Sequence, residues 1–262
     1  MSGAIKLQVG MGGLVAKVTL NRPDKLNAFD RETLRELGDI VRGVGDSEKL
    51  RVVVVTGEGA GFCAGADLAA AKATPDGTST YLGKLATSFH NVLETLAQSP
   101  ALVVTVVNGI AAGGGMALAM AGDVRIALPE AKFRIGYGRV GLSMDGGLSW
   151  RLPRLVGMAQ AQRLLYTDPD VDADEAQALG LVHQVTPASE LPAALTKVVE
   201  GMKLQSRAAL LRNRQLLAES QGRSLAATYE AEGMTMKVSA AGADGREGVA
   251  AFVEKRAPKF ST

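Results

Sequence analysis

Two glycine-rich loops, each preceded by an apolar strand, are the segments of this sequence best suited to bind a negatively charged oxygen. The first, GEGAGFCAGADL (57–68), follows LRVVVVT, and the second, NGIAAGGG (108–115), lies between ALVVTVV and the helix-forming MALAM. The first amides of a helix have no partner within it and carry partial positive charge. Glycine lets a ligand approach such amides closely. The two loops are therefore predicted to form two walls of one pocket, containing an anion or oxyanion site.

Asp145 is the carboxylate best placed to transfer a proton. It precedes two glycines and has four apolar neighbours in sequence, Leu142, Met144, Leu148 and Trp150. An apolar wall of this kind would raise the pKa of the carboxyl group, which suits acid–base chemistry. The alternative is a structural Asp, because Asp-Gly is common in turns. In that case Ser149 could cap the following helix.

Metal and nucleophile chemistry find little support in the sequence. The two histidines, His90 and His183, lie on separate predicted elements, and no Cys, His and carboxylate cluster has ligand spacing. We therefore expect neither a metal site nor a Ser-His-Asp triad. His90 falls in a predicted helix and is interpreted as a packed or capping residue. The single cysteine, Cys63, could be a nucleophile, but the absence of a nearby histidine favours a small buried filler.

Two other interpretations of the apolar and glycine-rich segments fit less well. GEGAGFCAG partly matches a dinucleotide-binding fingerprint, but Phe62 stands where the third glycine belongs and no acidic residue ends a following strand. The uncharged run 101–122 is long enough to cross a bilayer. It changes from β-branched to helix-forming residues halfway, however, and lacks a basic flank. We predict neither a dinucleotide site nor a membrane span.

Composition and charge exclude several classes of partner. Of the 262 residues, 47% are hydrophobic, which supports a sizeable core, and 29 Lys and Arg balance 27 Asp and Glu. The net charge of +2 predicts no strong field for nucleic acid or a membrane surface. One cysteine cannot form an internal disulfide, and the N-terminus resembles neither a signal nor a transit peptide. A cytoplasmic location is therefore expected.

Hydrophobic periodicity predicts strands that alternate with helices, which is typical of an α/β core with parallel pairing. An N-terminal hairpin joins residues 5–9 and 15–20, and Asp30 caps a helix that ends near Val44. A loop at 73–80 precedes a helix at 81–97. Further strands are predicted at residues 50–56, 101–107, 124–127, 132–135 and 181–185.

From Ser149 onward the pattern becomes helical. Asp172 and Glu175 form a capping box, and Gly180 is the matching C-terminal stop. Helices are predicted at residues 191–202, 206–221, 224–239 and about 247–255. We divide the chain into a core with the site, 1–200, and a C-terminal helical region, 201–262.

Six motifs follow one another along the chain: LNRPDKLNAF (20–29), GFCAGADL (61–68), VNGIAAGGGMALAMAGDVRIA (107–127), LPRLVG (152–157), ALGLV (178–182) and REGVAAFVEKRAPKF (246–260). Together they resemble the crotonase, or enoyl-CoA hydratase/isomerase, superfamily over essentially the whole chain. Within it, FCAG.DL, AAG.G, MDGG..W.LPR and the C-terminal motif are most similar to the ring-1,2-epoxyphenylacetyl-CoA isomerases of phenylacetate degradation.

The resemblance implies a fold and a substrate class. The fold is α/β, a crotonase-like spiral of ββα units with a C-terminal helical region that mediates trimers, often paired as a dimer of trimers. The substrate is a coenzyme A thioester, so coenzyme A enters as part of the substrate and no other cofactor is expected.

The resemblance also implies roles for individual residues. The amides of Ala66 and Gly114 would form an oxyanion hole for the thioester oxygen, and Asp145 matches an acid/base carboxylate. Phe252 and Lys255 match tail residues that reach coenzyme A or line a neighbouring subunit's site. The full set assigned to substrate binding is Lys25, Leu26, Ala28, Ala64, Gly65, Asp67, Leu68, Gly113, Tyr137, Phe252 and Lys255.

This chain departs from the hydratases of the family at two positions. The two glutamates that hold a water there are replaced by Ala117 and Tyr137. Neither side chain can transfer the required protons near neutral pH. Asp145 instead matches the carboxylate of the ring-epoxide isomerases and of one dehalogenase branch, whose aromatic-pocket residues are not evident in the sequence.

We therefore predict an isomerase of unsaturated or ring-epoxide acyl-CoA thioesters, in which Asp145 moves a proton while the oxyanion amides stabilise an enolate. An enoyl-CoA hydratase of fatty-acid or aromatic-acid degradation is the nearest alternative. A nucleotide-dependent oxidoreductase and a non-catalytic RNA-binding or scaffold protein are alternatives of other classes, and the balanced charge argues against RNA.

Overall fold

The chain divides into two compact units, Met1–Leu191 and Pro192–Thr262. Short segments rich in β-branched residues form the strands of the first unit. The computed structural model describes residues 3–45, 47 and 49–260. The division predicted from the sequence, after residue 200, lies nine residues further along the chain. In the described part of the first unit the strands are β1 (Ile5–Gly10), β2 (Val15–Leu20), β3 (Val52–Gly57), β4 (Gly61–Cys63), β5 (Leu102–Val107), β6 (Ile110–Ala112), β7 (Val124–Ala127), β8 (Lys132–Arg134), β9 (Val171–Asp172) and β10 (Gln184–Val185).

The strands form two sheets, and within each sheet neighbouring strands follow the order of the chain. The larger sheet runs β1-β2-β3-β5-β7-β10 and the smaller runs β4-β6-β8-β9. β1 and β2 pair antiparallel, which confirms the predicted hairpin, and the rest of the larger sheet is parallel. Three times in succession one strand enters the larger sheet, the next enters the smaller one, and helix follows. This repeat is the predicted spiral of ββα units.

The helices of the first unit, as far as it is described, are α1 (Arg31–Gly45), α2 (Leu68–Ala73), α3 (Thr78–Gln98), α4 (Gly114–Ala119), α5 (Leu148–Val156), α6 (Met158–Thr167) and α7 (Ala173–Ala178). Two predicted N-caps are confirmed, but the reciprocal half of the capping box is not, because Glu175 Oε1 accepts a hydrogen bond from Arg163 instead. Asp30 Oδ1 accepts a hydrogen bond from the Thr33 amide at 2.9 Å, and Asp172 Oδ1 accepts one from the Glu175 amide at 2.8 Å.

Three local predictions were wrong in segments rich in small residues, and the strand predicted at 181–185 is limited to β10. The loop predicted at 73–80 is shorter, because α2 ends at Ala73 and α3 begins at Thr78. β4 and β6 lie inside the two glycine-rich segments that are predicted as loops. Strands of three residues carry too little periodicity to be recognised, and they exist here because they pair with each other.

The second unit is helical, with α8 (Leu191–Lys203), α9 (Arg207–Ser220), α10 (Leu225–Ala241) and α11 (Ala243–Val253). Ser206 and Ser224 cap α9 and α10 by accepting hydrogen bonds from the amides of Ala209 and Ala227, each at 3.2 Å. α11 begins four residues before the predicted start at 247. None of the helices in the described ranges is long and apolar enough to cross a membrane.

Candidate active site

A cavity of about 400 Å³ lies in the first unit, between the two glycine-rich loops, one face of α3 and the segment 136–145. α3 contributes Leu82, Leu85, Ala86 and Phe89, whose spacing places them on one side of a helix. The structure brings most of the predicted site residues together here. Those that line the cavity are Ala64, Gly65, Ala66, Leu68, Gly113, Gly114, Tyr137 and Asp145.

The two loops lie against each other at the candidate oxyanion site. A Cβ placed on Gly65, whose φ is +89°, would lie 3.0 Å from the Gly114 nitrogen. Neither the Ala66 nor the Gly114 amide donates a hydrogen bond to another residue in the described part of the chain. Gly114 is the first residue of α4, where an amide has no acceptor within the helix. Two unused donors therefore line one cavity, and their convergence on a shared oxygen stays a prediction.

The loop that carries Asp145 depends on the two glycines that follow it. Gly146 and Gly147 have φ of 62° and 72°. A Cβ on Gly146 would lie 2.5 Å from Phe89 Cε1 and 2.7 Å from the Ala117 Cβ, so only glycine lets this turn pack against α3 and α4. The turn fixes the backbone of Asp145 at the edge of the cavity.

The structural interpretation of Asp145 fits its backbone, and the chemical interpretation fits its side chain. Its backbone carbonyl closes a turn by accepting a hydrogen bond from the Leu148 amide at 3.2 Å. Its side chain caps no helix, because the N-cap of α5 is Gly147. Ser149 lies within α5 and is not the cap. The carboxylate is therefore available for chemistry.

His90 was misinterpreted from the sequence. It is neither packed in the core nor a cap: its side chain is 54% exposed, and its Nε2 lies 2.5 Å from Asp145 Oδ1. The two residues are 55 positions apart in sequence, so spacing could not pair them. The available signal was position on α3, since His90 directly follows Phe89, whose side chain lines the cavity.

Tyr137 borders the same carboxylate. Its hydroxyl donates to the backbone carbonyl of Asp145 at 3.5 Å. Burial, together with the negative charge of Asp145, raises the pKa of the phenol well above its usual value. Tyr137 therefore stays neutral and cannot act as a second acid/base. Its segment is held by Asp168, which accepts hydrogen bonds from the Gly136 amide at 2.8 Å and from Arg139 Nε at 2.5 Å.

The apolar wall around Asp145 differs from the predicted one. Leu142 and Met144 line the cavity, whereas Leu148 is buried in the core. Trp150 is about half exposed, and the guanidinium of Arg154 lies 4.0 Å from its ring centroid. Aromatic rings contribute instead from other elements: Phe29 and Phe89 stack with centroids 4.8 Å apart. Both rings line the cavity.

A second group of predicted residues lies beside the cavity and is tied together by Asp67. Asp67 Oδ2 accepts hydrogen bonds from Lys25 Nζ and Arg22 Nη2, each at 3.0 Å, and Oδ1 accepts one from the Ala70 amide. Burial alone would raise the pKa of this carboxyl group, but the Ala70 amide and the two cations lower it to about 2. Asp67 thus holds α2 in place. Leu26 is half exposed, and Ala28 is buried.

The two remaining residues predicted to bind substrate, Phe252 and Lys255, belong to the second unit. Phe252 is 86% exposed on α11, and Lys255 has a φ of 54° just after that helix. Their role in substrate binding stays a prediction.

Cys63 is fully buried, and burial raises the pKa of its thiol to about 12, so it is a filler and not a nucleophile. Within the described ranges, no group of three or more His, Cys, Asp or Glu could hold a metal ion.

Comparison with known proteins agrees with these features. The profile of the family described as enoyl-CoA hydratase/isomerase matches residues 11–262. The 1,2-epoxyphenylacetyl-CoA isomerase of Escherichia coli is 34% identical, over 94% of this chain and 95% of its own length. The crotonyl-CoA hydratase of Syntrophomonas wolfei is 34% identical, over 94% of each chain. The crystal structure of an enoyl-CoA hydratase from Mycobacterium smegmatis superposes over 100% of both chains with a TM-score of 0.91 and 31% identity.

Proposed function

The chain belongs to the enoyl-CoA hydratase/isomerase family, and on that premise we propose that it isomerises an unsaturated or ring-epoxide acyl-CoA thioester. One observation carries the proposal: Asp145 is the only carboxylate among the described residues that line the cavity. The 34% identity to a 1,2-epoxyphenylacetyl-CoA isomerase supports the same reaction class.

In the proposed mechanism the thioester oxygen accepts hydrogen bonds from the amides of Ala66 and Gly114. A proton leaves a substrate carbon for Asp145, and the electron pair of the broken C–H bond is stored as an enolate. Asp145 then returns the proton to another carbon of the conjugated system. Each oxyanion donor is worth about 3 kcal/mol in the transition state, and positioned acid–base catalysis contributes roughly 100- to 10,000-fold.

The residues at the two hydratase positions support isomerisation over hydration. Ala117 has no acid, and Gly146 packs against its methyl group, so the Asp145 loop occupies the adjacent space. Tyr137 has a raised phenol pKa and stays neutral. One carboxylate suffices to move a proton within a substrate, whereas hydration also needs a fixed water.

Hydrolytic dehalogenation of an aromatic acyl-CoA is a second candidate. The sequence showed no aromatic pocket, but Phe29, Phe89 and Tyr137 all line the cavity. Such rings would suit an aromatic acyl group. The proton-shuttle assignment of Asp145 is still favoured, because it needs neither water as a reactant nor a halogenated substrate, and because it matches the reaction class of the isomerase that is 34% identical.

A panel of acyl-CoA thioesters analysed by mass spectrometry tests the proposal. We expect products of unchanged mass from unsaturated or ring-epoxide thioesters, and slow hydration of crotonyl-CoA. Rapid gain of one water by crotonyl-CoA would favour the hydratase alternative. Halide release from a halogenated aromatic thioester would favour dehalogenation. Turnover of no thioester, with retention of labelled RNA, would favour the non-catalytic alternative.

The proposal extends to assembly and location. The protein would act as a homotrimer or a dimer of trimers in the cytoplasm, with coenzyme A present only as part of the substrate and no other cofactor. In such an assembly Phe252 and Lys255 would reach coenzyme A or a neighbouring subunit's site. Neither nucleic acid nor membrane would be a partner.

A further inference from the structure

The contact between His90 and Asp145 is used by no step of the proposed reaction. His90 Nε2 lies 2.5 Å from Oδ1 of Asp145, and the side chains are 54% and 33% exposed. Asp145 Oδ2 takes part in no hydrogen bond with another residue of the described ranges. The imidazole therefore engages one carboxylate oxygen from the solvent side and leaves the other oxygen for a substrate.

We propose that His90 is a positioning residue that fixes the carboxylate of Asp145 and exchanges its proton with solvent. The inference rests on the proposed function, because it concerns the same proton. It deepens that function by predicting that the transferred hydrogen is partly replaced by solvent hydrogen during turnover.

Positioning follows from the local backbone. Asp145 lies before two glycines in a turn, and its side chain is tied to no helix amide. Without His90, the carboxylate could rotate about its side-chain torsions. A charge-assisted hydrogen bond holds one rotamer, and rates of proton transfer depend steeply on such alignment.

Exchange follows from exposure. After Asp145 takes the substrate proton, water can move the proton of the neutral imidazole from Nε2 to Nδ1, which leaves Nε2 able to accept the proton of the neutral acid. The imidazolium so formed exchanges its N–H protons with water and returns one proton to the carboxylate, so the acid and the neutral imidazole are both restored. No net charge or electron is transferred, so only water is needed as a co-reactant. Tyr137 is the other titratable side chain among the described residues of the cavity, and burial raises its phenol pKa, so it offers no comparable route for a proton.

Two substitutions separate the two parts of the proposal. His90→Ala removes the donor, and we expect kcat to fall by about 10-fold or more while KM stays within about 3-fold. His90→Gln keeps an N–H donor at similar reach but cannot relay a proton. We expect it to recover at least about a third of the wild-type kcat. Asn91→Ala, at the exposed neighbouring position on α3, is the matched control and should leave kcat unchanged.

A substrate deuterated at the carbon that loses its proton reports the exchange. We expect the wild-type product to lose much of the label, and the His90→Gln product to retain at least about twice the fraction. Three results would each overturn the proposal. The first is a His90→Ala variant whose kcat equals that of wild type, and the second is a His90→Gln variant that does not recover kcat. The third is equal loss of label in wild type and His90→Gln.

A spectroscopic test does not depend on activity. The chain has only two histidines, and His183 lies elsewhere, where its Nδ1 accepts a hydrogen bond from the Arg125 amide at 2.9 Å. In nitrogen-15 NMR of the full protein, Asp145→Asn should shift the ring signals of His90 and leave those of His183 in place. Unchanged His90 signals would overturn the inference. Failure of the substrate panel, with His90 signals still responding, would count against the proposed function alone.

Discussion

At the scale of single residues, Asp145 combines the two properties that a proton-transferring carboxylate needs. One oxygen contacts His90, and the other takes part in no hydrogen bond with a described residue, beside an apolar cavity. Its neighbour Tyr137 stays neutral, so in the proposed reaction the acid–base chemistry would fall to one group. Such a division suits a reaction that returns the proton it removes.

Replacing Asp145 by Asn tests this role. The amide keeps the shape and loses the basic oxygen, so we expect isomerisation to fall by about 100-fold or more while affinity for a CoA ligand stays within a few-fold. Steady-state kinetics and calorimetric titration provide the two measurements. Asp170→Asn, which removes an exposed carboxylate paired with Arg134, is the control. Efficient crotonyl-CoA hydration that survives Asp145→Asn would contradict both residue and reaction.

Gly65→Ala tests the oxyanion assignment. The added Cβ would lie 2.9 Å from the Ala112 carbonyl oxygen and 3.0 Å from the Gly114 nitrogen, at a φ of +89°. We expect kcat/KM to fall by roughly 100-fold, the loss typical of one oxyanion donor. The comparison variant is Gly43→Ala in α1, where a Cβ meets nothing within 4 Å. Equal activity in both variants would remove the loop contact from the mechanism.

At the scale of secondary-structure elements, the site depends on short pieces held from outside. α2 and α4 have six residues each, too short to be stable alone. Asp67 anchors α2 to Arg22 and Lys25, while the smaller sheet places β6 just before α4. The two glycine-rich loops are therefore positioned by contacts between elements and not by local propensity.

The ion pairs of Asp67 predict a pH-dependent stability. Its folded pKa of about 2 lies below the unfolded value of roughly 3.9, so the carboxylate stabilises the fold above that value, and this stability is lost as pH falls through about 2. Asp67→Asn keeps a capping oxygen, so the charge is what changes. We expect a loss of about 2 kcal/mol in unfolding free energy near neutral pH, narrowing to about half near pH 3.

Denaturant titrations of wild type and Asp67→Asn across this pH range measure the difference. Asp39→Asn, which affects exposed ion pairs of α1, should cost little at any pH. A difference between wild type and Asp67→Asn that grows toward acid pH would contradict the assignment.

At the scale of the whole molecule, α10 carries apolar residues on two opposite sides. By the period of the helix, Leu225, Tyr229 and Met236 share one face, and Met234 and Val238 share the other. Each is more than half exposed in the single chain. Exposed apolar side chains that are grouped on one face of a helix usually mark a protein interface.

We therefore expect a trimer or hexamer in solution at micromolar concentration. Light scattering coupled to gel filtration measures the mass directly. Tyr229→Glu should weaken the assembly, because burying a charge in an apolar interface is costly. Lys237→Glu, on the same helix, provides a charge-changing control. A wild-type monomer would also remove the predicted role of Phe252 and Lys255.

Much of this protein can be predicted from local sequence. The hairpin, the parallel strands and the N-caps of α1 and α7 follow from periodicity and side-chain chemistry within a few residues. The Asp-Gly-Gly turn follows likewise, since the positive φ of Gly146 and Gly147 demands glycine. Six ordered motifs then identify the family.

Only the tertiary structure decided which side chains meet. His90 approaches Asp145 because Gly146 packs against Phe89, which brings the turn onto α3. Asp67 becomes an anchor because the Arg22 and Lys25 segment folds beside it. The strands β4 and β6 form because each supplies the other's hydrogen-bond partners. These features depend on contacts between residues far apart in sequence, which no local propensity encodes.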